Sequence, residues 1–256
     1  MMSDLVPRRP LSAFLGDNPY PGKFTDGLYF RDKMRAIHRI APERAGRDLL
    51  EVGGGQSGLS KMLYPEALVT NLDMDPTFSE RPANRQPGMR FVQGDAAAMP
   101  FPDASFDMVT MFDLLEHVED DDAVARETLR VLRPGGWVLI TTPDSDRWRY
   151  PMYAIFKPVS PTEEELFARW GHVRRGYDLP RLEQMFEGPP RMLGGFINDK
   201  LAVSHDIAFT NLPWPVRMVL HALVAPVSVV GWMSHKPGDP GTEIAASWQK
   251  GGALHG

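Results

Sequence analysis

A short apolar run that opens into a glycine-rich loop constrains the fold of this chain more than any other feature of its sequence. The run RDLLEV, residues 47–52, has the length and composition of a buried strand, and the loop GGGQSG follows it at 53–58. Gly53, Gly55 and Gly58 have the G-x-G-x-x-G spacing, in which residues without a Cβ let the backbone approach a ligand closely. Because LSKML continues as a helix, this stretch predicts the first strand–loop–helix unit of an α/β fold.

Three later apolar runs also end on an acidic residue. ALVTNLD ends on Asp73, MRFVQGD on Asp95 and SFDMVTMFD on Asp113, and a helix predicted over 120–133 separates the last of these from the strand GWVLITTP. Strands that alternate with helices form parallel sheets with right-handed crossovers. We therefore predict an α/β fold with a doubly wound, mostly parallel seven-stranded sheet, a helical lid, and an apolar insertion before the last strand, GTEIAASWQK.

The length of 256 residues suits one domain with insertions rather than two equal domains. Within the single domain 1–256 the composition changes along the chain. We divide it into an N-terminal cap (1–46), a cofactor-binding core (47–144), an aromatic lid insertion (145–178), an apolar insertion (205–240) and a closing strand (241–250). In the lid, Thr162 and Glu165 have the spacing of a capping box at the start of a helix.

Composition excludes several classes of function. The chain has no cysteine, which excludes disulfides and thiolate zinc sites, and we expect no metal. A formal net charge of −5 provides no general field that would gather nucleic acid, so we expect no nucleic-acid partner. Prolines and charges stand at the N-terminus where an export signal needs an apolar core, and we expect a cytoplasmic protein.

The glycine loop alone does not say whether it holds a pyrophosphate or a sulfonium. Asp73 lies 20 residues after Gly53, where a carboxylate accepts both ribose hydroxyls of either kind of cofactor. Glu51 favours the sulfonium, because a carboxylate beside the loop would repel a pyrophosphate and attract a positively charged ligand by about 1–4 kcal/mol. The alternative is that Glu51 forms a salt bridge with an arginine such as Arg47.

Five motifs in this order resemble the class I S-adenosylmethionine-dependent methyltransferases of the ubiquinone-biosynthesis-like (methyltransferase type 11) family. They are EVGGGQSG, NLDMDP, GDAAAMPFPDASFD, FDLLEHV and LRPGGWVLITTP, within residues 47–144. The resemblance implies a Rossmann-like fold, S-adenosylmethionine as cofactor and S-adenosylhomocysteine as product. It implies that the cofactor is held by Glu51, Gly53, Gly54, Gly55, Asp73, Met74, Asp95, Ala96 and Phe112. Ser57 stands where the family usually has its third glycine, which leaves the shape of the turn open.

Candidate catalytic residues follow from the acceptor's chemistry, because a hydroxyl must lose its proton whereas a neutral amine need not. His117, four residues after Asp113, could share a helical face with it, and in the resembled family this histidine usually belongs to the fold and often lies by the cofactor. His172 follows the capped helix of the lid and could act as a general base over the methyl group, or be a hinge or capping residue. We name His172, His117 and Asp113 as the catalytic candidates.

For the acceptor-binding wall we expect Tyr20, Tyr29, Trp148 and Arg174. Arg174 could bind a carboxylate or phosphate of the acceptor, or lie on a solvated face. We predict transfer of a methyl group to a hydroxyl of a small molecule, such as a secondary metabolite, a quinone or a saccharide. The alternatives are N- or C-methylation of a hydrophobic or lipid-linked substrate, and a non-catalytic partner protein with this fold. An NAD-dependent oxidoreductase is disfavoured, because no Tyr-x-x-x-Lys directly follows the fourth strand; Tyr153 and Lys157 have that spacing, but they lie beyond the fifth strand, in the aromatic insertion.

The apolar insertion contains the stretch 213–233, PWPVRMVLHALVAPVSVVGWM. Its uninterrupted apolar part, 222–233, is shorter than the ~20 residues of a membrane-spanning helix, and Pro226 also disfavours a span. It could be a buried or domain-covering helix pair, or an interfacial element with Trp214 and Trp232 at its ends that dips into a membrane or admits a greasy substrate. We therefore expect a small-molecule acceptor, possible peripheral membrane contact, and a monomer or homodimer.

Overall fold

The structure is a computed structural model that describes residues 5–18, 24–236 and 238–251. Its helices are α1 (Leu11–Gly16), α2 (Phe24–Ile40), α3 (Leu59–Leu63), α4 (Pro82–Arg85), α5 (Asp121–Val131), α6 (Glu163–Trp170), α7 (Leu179–Met185), α8 (Asp199–Phe209) and α9 (Trp214–Ser234). Its strands are β1 (Val6–Pro7), β2 (Arg44–Ala45), β3 (Asp48–Val52), β4 (Leu68–Asp73), β5 (Met89–Gln93), β6 (Phe106–Phe112), β7 (Leu132–Pro143), β8 (Met192–Phe196) and β9 (Glu243–Gln249). Turns of 3₁₀ helix occupy Pro76–Glu80, Leu115–His117 and Ala154–Val159.

A seven-stranded sheet in the order β5-β4-β3-β6-β7-β9-β8 forms the centre of the molecule. The strands β5, β4, β3, β6 and β7 are parallel, and β9 is antiparallel to both of its neighbours. This confirms the predicted doubly wound, mostly parallel sheet. The winding reverses between β3 and β6, and in open α/β sheets ligands bind at the carboxyl ends of the strands beside such a switch point.

The central strand β3 explains how the sheet is covered on both faces. Neighbouring residues of a strand point to opposite faces. Leu49 belongs to an apolar core with Met34 and Ile37 of α2, whereas Leu50 belongs to a second core with Val124 of α5. All of these side chains are fully buried. Helices therefore lie on both faces, which is the arrangement that a mostly parallel sheet requires.

The strand β8 has no counterpart in the sequence analysis, which located six strands of the seven. Its sequence, MLGGF, contains two glycines and no β-branched residue, so it lacks the composition of a strand. Gly195 is required by packing, because a Cβ there would lie 2.4 Å from the backbone nitrogen of Gly241. The predicted helix over 120–133 ends earlier, at Val131, and the PGG that was expected to terminate it lies within β7.

The apolar insertion (205–240) contains α9 and the end of α8, which begins before it at Asp199, and the two helices pack on each other and on α2. The helix α9 continues through Pro226 for 21 residues, and its length and composition would allow it to cross a membrane, with a mean hydropathy of 1.6. Only 11% of its most apolar window is buried, so α9 covers the domain without being buried in it.

Candidate functional site

The glycine loop between β3 and α3 is joined to the end of β4 by hydrogen bonds. Gly53 donates its backbone N–H to the carbonyl of Leu72 at 2.8 Å, and Gly55 donates to Oδ2 of Asp73 at 3.0 Å. Asp95 follows β5, the next strand of the sheet, and Gly94 donates to the carbonyl of Asp73 at 3.1 Å. The loop and the two aspartates therefore lie along one edge of the sheet, as their positions at strand ends predict.

Glu51 lies beneath this loop and supports it. Its side chain is buried, with Oε1 accepting from the Ser57 hydroxyl at 2.9 Å and Oε2 from the Ser60 backbone N–H at 3.2 Å. Burial raises the pKa of Glu51, and the hydrogen bonds from the serines oppose that rise. Among the described residues Glu51 is held by these serines, in place of the salt bridge with Arg47 that the sequence left open.

The close packing of the loop on Glu51 requires glycine. A Cβ on Gly54 would lie 2.7 Å from Cγ of Glu51 and 2.7 Å from Oδ1 of Asn71. Gly53 and Gly55 have φ angles of +65° and +52°, in the left-handed region that glycine tolerates best. Ser57, which stands where the family usually has its third glycine, donates a hydrogen bond from its hydroxyl to Glu51.

The edge fits a nucleoside cofactor. A Cβ on Gly55 would fill a gap next to the Phe78 ring, 3.6 Å away, and to the carboxylate of Asp73, 4.0 Å away. Carboxylates accept hydrogen bonds from hydroxyl and amino groups, so Asp73 and Asp95 suit a ribose and a base amine. Ala96 and Phe112 are buried at the same strand ends, and Met74 is 71% exposed just after β4.

A cavity of about 320 Å³ lies beyond Asp113, and we call it the acceptor pocket. It is lined by Tyr29, Asp113, Glu116, His117, Pro143, Trp148, Trp170, His172, His205, Phe209 and Glu243. Five residues predicted from sequence are among them, namely Asp113, His117, His172, Tyr29 and Trp148. The volume falls at the small end of the range of ligand pockets, which suits one ring system.

Asp113 is held as an ionised group at the base of the acceptor pocket. Lys33 donates from Nζ to its Oδ2, and Thr141 donates to its Oδ1 at 2.6 Å. Burial would raise the pKa of Asp113, but the charge of Lys33 and these hydrogen bonds outweigh it, so the pKa is lowered. Because its charge is already paired, Asp113 acts by electrostatics and positioning better than as a proton acceptor.

Burial and neighbouring negative charge raise the pKa of two glutamates of the acceptor pocket. Burial, and then the negative charge of Asp113, raise the pKa of Glu116 to about 8. Burial raises the pKa of Glu243 well above its ordinary value, with Asp113 and Glu116 adding to the effect. A protonated carboxyl can donate a hydrogen bond as well as accept one, and Glu116 already accepts from the Thr142 hydroxyl at 3.1 Å.

The two predicted histidines are in contact, with ring centroids 4.6 Å apart. Nδ1 of His117 lies 3.1 Å from the carbonyl of Gly171, whereas Nδ1 of His172 is buried and has no hydrogen-bond partner among the described residues. Burial, and then the nearby His117, lower the pKa of His172 to about 4. His172 is therefore neutral at physiological pH and has a ring nitrogen without a partner.

Glu116, His117 and His172 could also hold a metal ion, since each offers one ligand atom and these atoms lie within 4.8 Å of one another. Imidazole and carboxylate groups are common ligands of zinc and of non-haem iron. From the sequence we expected no metal at the site, and that expectation stays a prediction.

One predicted acceptor-binding residue, Arg174, is not brought to the pocket. Arg174 donates to the carbonyls of Leu115 at 3.4 Å and Glu119 at 3.0 Å, and forms a 2.8 Å ion pair with Asp121. It joins the lid to the segment before α5, and it does not line the acceptor pocket, so its predicted role in binding an acceptor anion is not supported by this geometry. Tyr20 lies outside the described residues.

The far wall of the acceptor pocket comes from α8, which the sequence analysis did not assign to the site. His205 stacks on Tyr29 with centroids 5.3 Å apart, and its ring lies 4.8 Å from that of Phe209. Burial lowers the pKa of His205 to about 4, so this ring is neutral and acts as part of an aromatic wall. The sequence signal was weak, because His205 stands in an apolar helix far along the chain from Tyr29.

A larger cavity, of about 520 Å³, opens at the opposite edge of the sheet. Asp48, Leu68 and Phe106, which line it, stand where their strands begin. Since ligands of open α/β sheets bind at the carboxyl ends of the strands, we assign the functional site to the edge with the glycine loop and the acceptor pocket.

Comparison with known proteins gives matches to the part of the chain that carries the loop. Residues 50–140 match the family described as a methyltransferase domain. A protein of Mycolicibacterium smegmatis named "Probable S-adenosylmethionine-dependent methyltransferase" is 35% identical over 130 residues, which cover 50% of this chain and 51% of that protein. A ubiquinone/menaquinone biosynthesis C-methyltransferase of Hahella chejuensis is 36% identical over 107 residues, covering 38% of this chain and 43% of that protein.

The chain thus spans about half the length, or less, of these curated relatives. Among solved structures, an S-adenosylmethionine-dependent methyltransferase of Mesorhizobium loti is similar with a TM-score of 0.58 and 17% identity, covering 88% of this chain and 100% of that one. At this level of identity the likeness concerns the fold.

Proposed function

We propose that this chain, which belongs to the class I S-adenosylmethionine-dependent methyltransferases, methylates a hydroxyl group of a small apolar molecule that contains a ring. One observation carries the proposal. A pocket with aromatic walls adjoins the cofactor edge at Asp113 and contains a neutral histidine, His172, whose Nδ1 has no hydrogen-bond partner among the described residues.

When bound, S-adenosylmethionine supplies an electrophilic methyl group on its sulfonium. The residues of the acceptor pocket then have separable roles. Tyr29 and His205, stacked on each other, form an aromatic wall that contacts the acceptor's ring and excludes water, and the protonated carboxyl of Glu116 donates a hydrogen bond to the acceptor. His172 accepts the hydroxyl proton on its imidazole, and the negative charge of Asp113 favours the imidazolium that forms, opposing the burial that otherwise lowers the pKa of His172.

Isothermal calorimetry with S-adenosylmethionine, S-adenosylhomocysteine and NAD tests the cofactor. We expect the first two to bind and NAD to give no heat, because the edge carries acidic groups that repel a pyrophosphate. Binding of NAD without the other two would overturn the proposal.

Incubation with methyl-labelled S-adenosylmethionine and a panel of acceptors tests the reaction. The panel contains an alkylphenol, a hydroquinone and a phenyl glycoside, and mass spectrometry of the products separates methyl ethers from ring-methylated compounds. We expect a methyl ether. Ring methylation would favour the C-methyltransferase alternative, which the relative from Hahella chejuensis supports, and cofactor binding without any methylated product would favour the non-catalytic alternative.

The Asp73→Asn variant is expected to bind S-adenosylmethionine about 10- to 100-fold more weakly. The carboxylate accepts from Gly55, and by the family resemblance from the ribose, and hydrogen bonds to a charged group contribute about 1.5–3 kcal/mol each. Calorimetry measures the effect, and Asp75→Asn is the matched control because it removes the same charge two residues away. Equal losses in the two variants would contradict a specific role for Asp73.

The pH dependence of kcat/KM is expected to reflect Glu116. Its pKa of about 8 lies above the ordinary value, so the carboxyl keeps its proton below about pH 8 and loses it above. Loss of the proton removes a donor and adds a second negative charge beside Asp113. We therefore expect kcat/KM to fall above about pH 8, and the Glu116→Gln variant to lack this fall. A rise of kcat/KM over the same range would assign the proton acceptor to Glu116 instead of His172.

A further inference from the structure

The outward face of α9 is a continuous apolar stripe. Val216, Val219, Leu223, Val227 and Val230 recur at intervals of three and four residues, which places them on one side of the helix. Their side chains are between 43% and 70% exposed. Trp214 at one end and Met233 at the other are also largely exposed. We call this set of seven side chains the α9 face.

No charged side chain interrupts the α9 face. The other exposed residues of the helix are Pro215, Met218, Ala222, Pro226 and Ser234. Arg217 and His221, which could carry charge, are half-buried on the inner side, where Arg217 donates to the carbonyl of Ala208 at 2.6 Å. Water-soluble monomers rarely expose contiguous apolar patches larger than a few hundred Å², and larger ones mark interaction sites.

The packing of α9 on α8 fixes which face points outward. The hydroxyls of Ser204 and Ser228 form a buried hydrogen bond, and Asn198 donates to the carbonyl of Gly231 at 2.8 Å. A Cβ on Gly231 would lie 2.9 Å from Cβ of Lys200, so the helices approach as closely as glycine permits. Because these contacts hold α9 along the domain, it would lie on a membrane rather than cross one.

Positive charge lies beside the C-terminal end of the α9 face. Arg31 and Arg39 stand four residues on either side of Arg35 on α2, and the guanidinium of Arg35, which is ion-paired with Asp32, lies 5.1 Å from the ring centroid of Trp232. Lys200 and Lys236 are exposed at the same end. Although the whole chain has a net charge of −5, the sequence between Asp206 and Asp239 contains no acidic residue.

This combination favours a lipid surface over a second copy of the chain as occupant. Protein–protein interfaces form about one hydrogen bond per 100–200 Å², and the outward side of α9 offers few side-chain donors or acceptors beyond Ser234 and the indole N–H of Trp214. Acyl chains require none, and cations beside an apolar face attract anionic headgroups.

We infer that the α9 face docks this protein on the surface of an anionic lipid bilayer. The acceptor pocket would then lie close to that surface, since His205 and Phe209 line it from α8, the helix on which α9 packs, and packed helices lie about 8–10 Å apart. On the proposed function, on which this last step rests, the acceptor is a ring compound dissolved in the membrane.

Flotation with vesicles tests the docking. We expect the wild-type chain to float with vesicles of phosphatidylcholine and phosphatidylglycerol, and to float less with phosphatidylcholine alone or at about 1 M salt, where charges are screened. The double variant Leu223→Glu/Val227→Glu should bind at least about tenfold more weakly, because burying each aliphatic side chain is worth a tenfold change or more. The matched control is Leu68→Glu/Ile155→Glu, which makes the same change at two residues, 46% and 80% exposed, outside the α9 face.

Three outcomes would overturn the inference. The wild-type chain could stay in the soluble fraction with anionic vesicles, the control double variant could lose binding as much as the α9 variant, or light scattering could show a dimer that the α9 variant dissociates, with no vesicle binding in either. Calorimetry with S-adenosylmethionine on the same preparations, together with their circular dichroism melts, excludes misfolding. If the wild-type chain binds the cofactor but does not float with vesicles, only the docking inference is overturned. If it floats but does not bind the cofactor, only the proposed function is overturned.

Discussion

Replacement of His172 by Gln is expected to lower kcat by about 10²- to 10⁴-fold, which is the usual contribution of a general base. The reason is geometric as well as electrostatic. Among the described residues, Nδ1 of His172, which lines the acceptor pocket, has no hydrogen-bond partner, and burial holds the ring neutral because it lowers the pKa to about 4. Glutamine keeps most of the volume and a polar end but cannot take a proton.

The measurement is single-turnover transfer of labelled methyl to whichever member of the acceptor panel is methylated fastest, with cofactor binding checked by calorimetry. His117→Gln is the matched control, because its ring contacts that of His172 but has Nδ1 placed against the carbonyl of Gly171. We expect that control to lose less than about tenfold. Loss of activity in the His117 variant, with turnover retained in the His172 variant, would reverse the assignment.

The cofactor edge could be predicted from sequence because its parts are local. Each acidic residue stands at or just beyond the end of a strand, and parallel strands bring their carboxyl ends to the same edge. The glycine loop adds a backbone requirement that few other residues satisfy, and Gly53 and Gly55 meet it with positive φ angles. What sequence could not show was that Glu51 would be enclosed by Ser57 and Ser60.

The acceptor pocket could be predicted only in part, because it is assembled from distant segments. Tyr29 and Trp148 stood out as aromatic residues near the expected lid. The stacking of His205 on Tyr29 and the ion pair of Lys33 with Asp113 join positions separated by 176 and 80 residues. No periodicity or motif signals such pairs, because tertiary packing alone brings them together.

The α9 segment shows a different limit. Its residues are apolar on nearly every side, so the sequence could not say which side packs inward, and it left burial and membrane contact as alternatives. Small residues determine which side of α9 packs inward, since Ser228 and Gly231 are the positions buried against α8. The sequence did not predict β8 for a related reason, because its two glycines contribute to packing but are not typical of the composition of a strand.

A buried ionic cluster around Asp32 stabilises the wall that carries His205. Asp32 is 2% exposed, accepts from the backbone N–H of Ile197 at 2.8 Å, and lies 3.2 Å from Nδ1 of the buried His235. Arg35 donates to its other oxygen. The cluster therefore joins α2 to the end of β8 and to the residue that follows α9.

Replacement of Asp32 by Ala is expected to lower the free energy of unfolding by about 3–5 kcal/mol, because it leaves His235 and the Ile197 N–H buried without their partner. Burial opposes the charge of Asp32, but its hydrogen bonds with His235 and Ile197 lower its pKa from the ordinary 3.8, so its contribution is lost only as pH falls below that value. The hydrogen bond to Asp32 raises the pKa of His235 above 6.5, so the contribution of His235 is complete below pH 6.5 and is lost as pH rises through the higher folded value. Urea unfolding of the wild type should therefore show stability decreasing as pH rises above 6.5.

The Asp32→Asn variant retains an acceptor for the Ile197 N–H. It should therefore destabilise the protein less than the Ala variant and should reduce the decrease of stability with pH. Equal losses in the Asn and Ala variants at every pH would mean that the charge of Asp32, and not its hydrogen bond to β8, provides the stability.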